Sequence, residues 1–172
     1  GSTNGNWDIN TQTNWQFSSA PTTYQQFIVP GDSVRFDDSL ASNEVVNLTA
    51  ALSPSSVTVS NVNTNYTFSG SGRITGPTGL IKPGAGTLAL SNNNDYSGLT
   101  TIAAGTLQVG VGTATGTLGA GAVINDATLA FDLSAATATL TNPVSGVGAL
   151  NLFGSGTLTV SGANSYQGGT TN

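Results

Sequence analysis

Residues that could perform acid–base or nucleophilic chemistry are scarce in this sequence. The 172 residues include no histidine, no cysteine and no methionine. Without His or Cys, the familiar zinc sites, Cys–His and Ser–His nucleophile pairs and non-haem iron centres cannot be assembled. The sequence therefore predicts no catalytic, metal-binding or cofactor-binding residues, and we expect the protein not to be an enzyme.

The carboxylates form one cluster, in the stretch GDSVRFDDS, which contains Asp32, Asp37 and Asp38. An enzymatic interpretation would pair these carboxylates with Arg35, and with Lys82 at a common cleft, for acid–base chemistry on a polysaccharide. The alternative is a turn held by Asp side-chain hydrogen bonds. A calcium site would need six to eight oxygens, and no EF-hand pattern is present.

Aromatic residues are densest near the N-terminus, in NWDINTQTNWQFSSAPTTYQQF, which holds Trp7, Trp15, Tyr24 and Phe27. Planar rings next to Asn and Gln side chains are typical of carbohydrate sites, because a ring stacks on a sugar and amides bond its hydroxyls. Trp7, Trp15 and Tyr24 are therefore candidate glycan-binding residues. The alternative is that these rings form the core of a cap. Exposed, coplanar tryptophans would favour a glycan site, and buried ones the cap.

The charge pattern excludes some partners. Charged residues make up 6% of the chain, the net charge is −5, and the three cations are Arg35, Arg73 and Lys82. So few cations cannot neutralise a phosphate backbone, and we therefore expect no nucleic-acid binding. No apolar run approaches the roughly 20 residues of a membrane span, and we expect no membrane insertion.

An internal repeat organises the second half of the chain. Residues 84–101 and 154–171 are identical at ten of eighteen positions, with Gly84 aligned to Gly154. The shared residues are glycines, alternating apolar residues, and the pairs Asn94/Asn164 and Tyr96/Tyr166, which we interpret as structural corners. Repetition of such a unit is typical of solenoids, propellers and arrays.

Short apolar segments closed by Gly, Asn and Ser predict strands of three to five residues, which suit the coils of a β-helix. The motif Thr-Leu-x-aliphatic recurs, and its first three copies begin at Thr87, Thr106 and Thr128, a spacing of about one coil. Because alternate strand residues share a face, we expect its apolar side chains to point inward and the residues between them to face water. The expected inward residues are Leu88, Leu90, Leu107, Val109, Leu129, Phe131, Leu158 and Val160.

Composition divides the chain into two parts. Residues 1–56 are richer in aromatic and acidic residues and are expected to form an N-terminal cap and the first irregular coils. Residues 57–172 are expected to form the β-solenoid repeats, within which 79–110 and 148–172 are equivalent. The fold class is thus all-β, a parallel β-helix with an N-terminal β-rich cap.

The stretch GLIKPGAGTLALSNNNDYSGLTTIAAGTLQVG at 79–110 resembles the autotransporter-associated β-strand repeat, also called the passenger-associated transport repeat, of secreted bacterial proteins. Residues 148–172 carry its first two-thirds. The resemblance implies a right-handed parallel β-helix, export to the bacterial cell surface, and neighbouring repeats of a longer parent chain as partners. It carries over no catalytic residue.

Two functions follow from these patterns. The first is a non-enzymatic structural or adhesive fragment of a secreted bacterial surface protein, a stiff β-solenoid stalk or passenger, with a glycan or host surface as a further partner. The alternative is a carbohydrate-binding module of an extracellular polysaccharide-degrading enzyme. The exposure of Trp7 and Trp15 discriminates between them.

Overall fold

The computed structural model describes residues 4–27, 30–39, 42–112 and 116–172. Within these ranges every regular element is a β-strand, as the composition predicted, and no helix long and apolar enough to cross a membrane occurs there. Twenty strands follow one another along the chain: β1 Asn6–Trp7, β2 Trp15–Phe17, β3 Ala20–Thr22, β4 Val34–Phe36, β5 Glu44–Leu48, β6 Ala51–Leu52, β7 Val57–Val59, β8 Tyr66–Ser69, β9 Arg73–Ile74, β10 Leu80–Lys82, β11 Thr87–Leu90, β12 Thr100–Ile102, β13 Thr106–Gly112, β14 Val123–Asn125, β15 Thr128–Leu133, β16 Thr137–Leu140, β17 Val144–Ser145, β18 Ala149–Phe153, β19 Thr157–Val160 and β20 Thr170–Thr171.

The strands form three faces of a parallel β-solenoid. Face 1 is a six-stranded sheet in the order β4-β7-β10-β12-β14-β17. Face 2 is an eight-stranded sheet in the order β1-β5-β8-β11-β13-β15-β18-β20. Face 3 carries two shorter pairs, β6 with β9 and β16 with β19. Each coil visits the faces in this order, and all pairs on the faces are parallel, so the predicted β-solenoid is confirmed.

Like residues stack on like inside face 2. Leu88 of β11 is in register with Leu107 of β13, which in turn is in register with Leu129 of β15, and all three are 0% exposed. A second column holds Phe68, Leu90, Val109 and Phe131. Apolar side chains stacked at every coil build one continuous core, which is why the spacing of the motif predicted it.

Two outward positions of face 2 correct the expectation that the intervening residues face water. Ala89 and Ala130 are 6% and 0% exposed, although they alternate with the inward leucines. In register, Ala89 lies beside Gln108, and Ala130 lies between Gln108 and Asn151. The methyl groups are therefore shielded by the longer side chains on neighbouring coils.

The fourth copy of the Thr-Leu-x-aliphatic motif corrects a second expectation. Leu158 is half-buried and Val160 is 37% exposed, although both were expected to point into the core. Strand β19 pairs with β16 on face 3 and not with the face 2 strands that hold the other copies. Because β19 lies in the last coil of this chain, a neighbouring coil covers Leu158 and Val160 from one side only.

The two repeat copies are rotated by one face. Thr87 is connected through its register partners Thr106 and Thr128 to Ala149, three coils further on. The chain then runs along β18 before it reaches Thr157, the repeat partner of Thr87, which lies on face 3. Thr157 therefore lies three coils and one face further along the solenoid than Thr87. Each strand of the second copy lies on the face that follows the face of its counterpart in the first copy.

The corners of the two copies nonetheless share two hydrogen bonds. The side-chain Oδ1 of Asn94 accepts a hydrogen bond from Ile74 N, and that of Asn164 accepts one from Val144 N, at 2.9 and 3.0 Å. The hydroxyls of Tyr96 and Thr100 lie 2.8 Å apart, as do those of Tyr166 and Thr170. The interpretation of these residues as structural corners is confirmed.

Glycine is required where the chain turns after each tyrosine. A Cβ added to Gly98 would overlap the carbonyl oxygen of Thr78 one coil earlier, and one added to Gly168 would overlap that of Gly148. Gly98 N also donates to Thr78 O at 2.9 Å. The repeat therefore keeps a glycine here because two coils approach each other by backbone alone.

Candidate functional site

A concave region lies at the N-terminal end of the solenoid. It is a groove of about 720 Å³ between the β2–β3 hairpin and the first coil, which contributes β4 and the start of β5. Its volume lies within the range of small-molecule and cofactor sites. This groove is the candidate functional site.

The hairpin that forms one wall depends on a tight turn. Ser18 and Ser19 have φ angles of 50° and 69°, which place two consecutive residues in the left-handed region. Such a turn matches the twist of a two-residue hairpin and brings Trp15 opposite Thr22 in antiparallel register. Since residues two apart share a strand face, Trp15 and Phe17 project from the same side of β2.

The floor of the groove is an aromatic cluster. The ring of Trp15 lies 5.3 Å from those of Trp7 and Phe36 and 6.3 Å from that of Tyr24. Trp7 and Tyr24 are 0% and 1% exposed, whereas Trp15 is half-buried. The cluster seals the first coil, since Trp7 is in register with Leu48 at the end of β5.

The three predicted glycan-binding residues are brought together, but not as a sugar platform. The planes of Trp7 and Trp15 are inclined by 65°, and no face of Trp7 reaches solvent. Of the three, Trp15 and Tyr24 line the groove and only Trp15 offers it a partly open ring. The two tryptophans are thus not coplanar and exposed, and of the two only Trp7 meets the criterion of burial stated for a cap core.

Sequence reasoning missed several residues of the groove. Phe17 lines it and is 77% exposed, and Phe36, Glu44 and Tyr66 also contribute to the lining. Alternation within β2 would have identified Phe17 as a neighbour of Trp15 on one strand face. No local pattern indicated Glu44 or Tyr66, because they reach the groove through coil stacking.

Carboxylates surround the mouth of the groove. Asp32 Oδ2 accepts a hydrogen bond from Gln25 N at 3.0 Å, Asp37 Oδ2 lies 3.6 Å from Arg35 Nε, and Glu44 Oε1 accepts one from Ser42 Oγ. The negative charges of these carboxylates act on the neighbouring Tyr66 and Tyr24 side chains. Burial, followed by the charges of Asp37, Glu44 and Asp38, raises the pKa of Tyr66 to about 12. Burial and the charge of Asp32 raise the pKa of Tyr24.

Asp38, the third member of the predicted acidic cluster, has a structural role. Its carboxylate accepts hydrogen bonds from the backbone N–H groups of Val62, Asn63 and Thr64 at 2.9–3.0 Å. These bonds, that from Thr64 first, lower the pKa of Asp38. Asp38 thus links two coils, whereas the local Asp hydrogen bond of this stretch is made by Asp37, whose Oδ1 accepts from Ser39 N at 3.0 Å.

Lys82 does not join this cluster. Its side chain is 0% exposed on face 1, where Nζ donates to the carbonyl oxygens of Gly84 and Ala104. Burial lowers its pKa to about 8. Lys82 therefore does not converge with Asp32, Asp37 and Arg35, as the enzymatic interpretation would require. The described residues also contain no group of three or more His, Cys, Asp or Glu able to hold a metal ion.

Comparisons with known proteins agree with this fold. The family model described as the passenger-associated-transport-repeat matches residues 80–109 and 150–171. The adhesin BmaC autotransporter of Brucella suis biovar 1 (strain 1330) is 39% identical over 114 residues, which cover 63% of this chain and 3% of that protein. The chain thus spans only a small part of the length of this relative. No solved structure matches the chain significantly.

Both matches confirm the predicted secretion and location at the bacterial cell surface. The matched residues coincide with the two copies of the internal repeat, one beginning on face 1 and the other on face 2. Residues 80–109 and 150–171 of this chain therefore carry the pattern of the passenger-associated-transport-repeat, the family that their sequence resembles.

Proposed function

We propose that this chain is a non-enzymatic structural and adhesive segment of a secreted bacterial surface protein. The observation that carries the proposal is the unbroken parallel pairing of face 2, from Asn6–Trp7 to Thr170–Thr171, across eight strands. A stack in which each coil contacts only its neighbours can extend without changing its cross-section. Such a segment suits a passenger that displays an adhesive surface away from the cell.

The division of the chain supports this role. We propose that residues 1–56 form the cap and first coils and that residues 57–172 form the repeat solenoid. The hairpin and its aromatic cluster protect the first coil, whose core and strand edge would otherwise be open. At the other end of the solenoid, Phe153 and Val160 are 50% and 37% exposed. We propose that a neighbouring coil of a longer parent chain covers them.

The alternative function, a carbohydrate-binding module of a polysaccharide-degrading enzyme, is not favoured. It required two exposed, coplanar tryptophans, and Trp7 is instead fully buried at an angle of 65° to Trp15. The matched relative is named an adhesin.

Protease resistance and adhesion of the 172-residue protein test the two parts of the proposal. A stacked solenoid should survive proteinase K for hours, while the unfolded variant Leu107→Asp is degraded within minutes. Rapid degradation of both proteins would contradict the structural role. Beads coated with the native protein should attach to epithelial cells more than albumin-coated beads. Equal attachment would contradict the adhesive role.

A further inference from the structure

The groove beneath the β2–β3 hairpin combines open aromatic surface with polar groups at its rim. Phe17 is 77% exposed and Trp15 is half-buried, and both lie on the same face of β2 and line the groove. The turn at Ser18 and Ser19 holds this face over the first coil. Open rings of this kind stack on the apolar face of a sugar.

The polar lining suits a hydroxyl-rich ligand. Asp32 and Glu44 each use one oxygen to accept a hydrogen bond within the protein, from Gln25 N and from Ser42 Oγ, respectively, which leaves the second oxygen open among the described residues. Asp37 is occupied by Arg35 and by Ser39 N. Single open carboxylate oxygens accept hydrogen bonds from sugar hydroxyls.

The charge of the groove selects against anionic ligands. Three carboxylates, Asp32, Asp37 and Glu44, line it against the single cation Arg35, a formal sum of −2. After burial, the charges of Asp37 and Glu44 contribute to the raised pKa of Tyr66, which lines the same groove. Sialylated and sulfated glycans would be repelled. A basic peptide would be attracted by the same charge, and a lysine-rich peptide is therefore the competing ligand in the test.

We infer that this groove binds a neutral oligosaccharide, with Phe17 and Trp15 as stacking surfaces and Asp32 and Glu44 as hydroxyl acceptors. This site goes beyond the proposed structural and adhesive role. It also relocates the carbohydrate contact from the buried Trp7 and Tyr24 to the open side of the hairpin.

A printed array of neutral, sialylated and sulfated oligosaccharides probed with the intact 172-residue protein tests the inference. We expect binding to neutral glycans only. Titration with chitotetraose, mannotetraose and N-acetyllactosamine, followed by tryptophan fluorescence, should detect at least one of them, because Trp15 lines the groove. Absence of both array binding and a fluorescence change would overturn the inference, as would binding restricted to anionic glycans or to a lysine-rich peptide.

Matched variants locate the site. Phe17→Ala should weaken binding about tenfold. The control Phe27→Ala removes a ring that is 79% exposed but does not line the groove, and should leave affinity unchanged. Asp32→Asn should weaken binding, whereas Asp95→Asn, on a different coil, should not. Equal losses within either pair would overturn the assignment. Unfolding midpoints measured in parallel separate this outcome from a failure of the structural proposal.

Discussion

In the first copy of the repeat, Leu88 and Leu90 are 0% exposed between two neighbouring coils. In the second copy, Leu158 is half-buried and Val160 is 37% exposed, although the two copies make the same corner contacts. The repeat sequence therefore determines local corners and strands independently of the face on which they lie. Neighbouring coils determine how deeply the same side chains are buried.

Truncating the equivalent leucines should give the largest contrast between the copies. Leu88→Ala opens a cavity in a filled column and should lower the free energy of unfolding by about 2–5 kcal/mol. Leu107→Ala should do the same. Leu158→Ala removes a side chain that is already partly solvated, and we expect a loss below about 1 kcal/mol. Guanidinium titrations measure all three, and equal losses for Leu88 and Leu158 would contradict the comparison.

Removing the equivalent tyrosine hydroxyls should give a smaller contrast. Tyr96→Phe leaves the buried Thr100 hydroxyl without its partner and should cost about 1–3 kcal/mol. The same change at Tyr166, whose hydrogen bond to Thr170 is exposed, should cost no more than about 0.5 kcal/mol because water replaces it. Thermal unfolding of the two variants provides the measurement, and a larger loss at Tyr166 would reverse the expected order.

Lys82 has no charged counterpart in the second copy, where Leu152 occupies the equivalent position. Burial lowers the pKa of Lys82 from 10.5 to about 8, so the folded state binds this proton less tightly than the unfolded state. Stability should therefore rise with pH between about 8 and 9.5, by about 1 kcal/mol per pH unit from this group. Above pH 10, ionisation of the buried tyrosines opposes folding because their pKa values are raised.

The variant Lys82→Leu copies the second repeat and isolates this effect. Subtracting its unfolding free energy from that of the native protein should remove contributions from every other titrating group. We expect the rise between pH 8 and 9.5 to be absent in the variant. An equal slope in both proteins would show that Lys82 does not titrate in this range.

Much of this fold was predictable from the sequence because a β-solenoid repeats its environment. The spacing of Leu88, Leu107 and Leu129 identified one column of the core. The face on which Leu158 lies was not predictable from its motif. The number of residues between the two copies fixes that face only when the length of each intervening coil is known. Those lengths vary, since Thr106 follows its register partner Thr87 after a shorter coil than the one that separates Thr106 from Thr128.

The candidate site was only partly predictable. Composition identified the aromatic segment, and Trp15 does line the groove. Which rings are buried depends on the hairpin turn at Ser18 and Ser19, where non-glycine residues adopt positive φ angles that sequence patterns rarely indicate. The contribution of Glu44 and Tyr66 arises from the stacking of the first coils, which no local motif encodes.

Disulfide trapping tests the central claim, that the second repeat copy lies one face further around the solenoid, most directly. The chain has no cysteine, so an engineered pair of cysteines is the only pair in the molecule that can form an intramolecular disulfide. Thr137 and Thr157 are register partners on face 3, and parallel partners are close enough for a disulfide. We expect the pair Thr137→Cys with Thr157→Cys to cross-link rapidly and the pair Thr128→Cys with Thr157→Cys to remain reduced. Cross-linking of the second pair in place of the first would place β19 on face 2 and contradict the rotation.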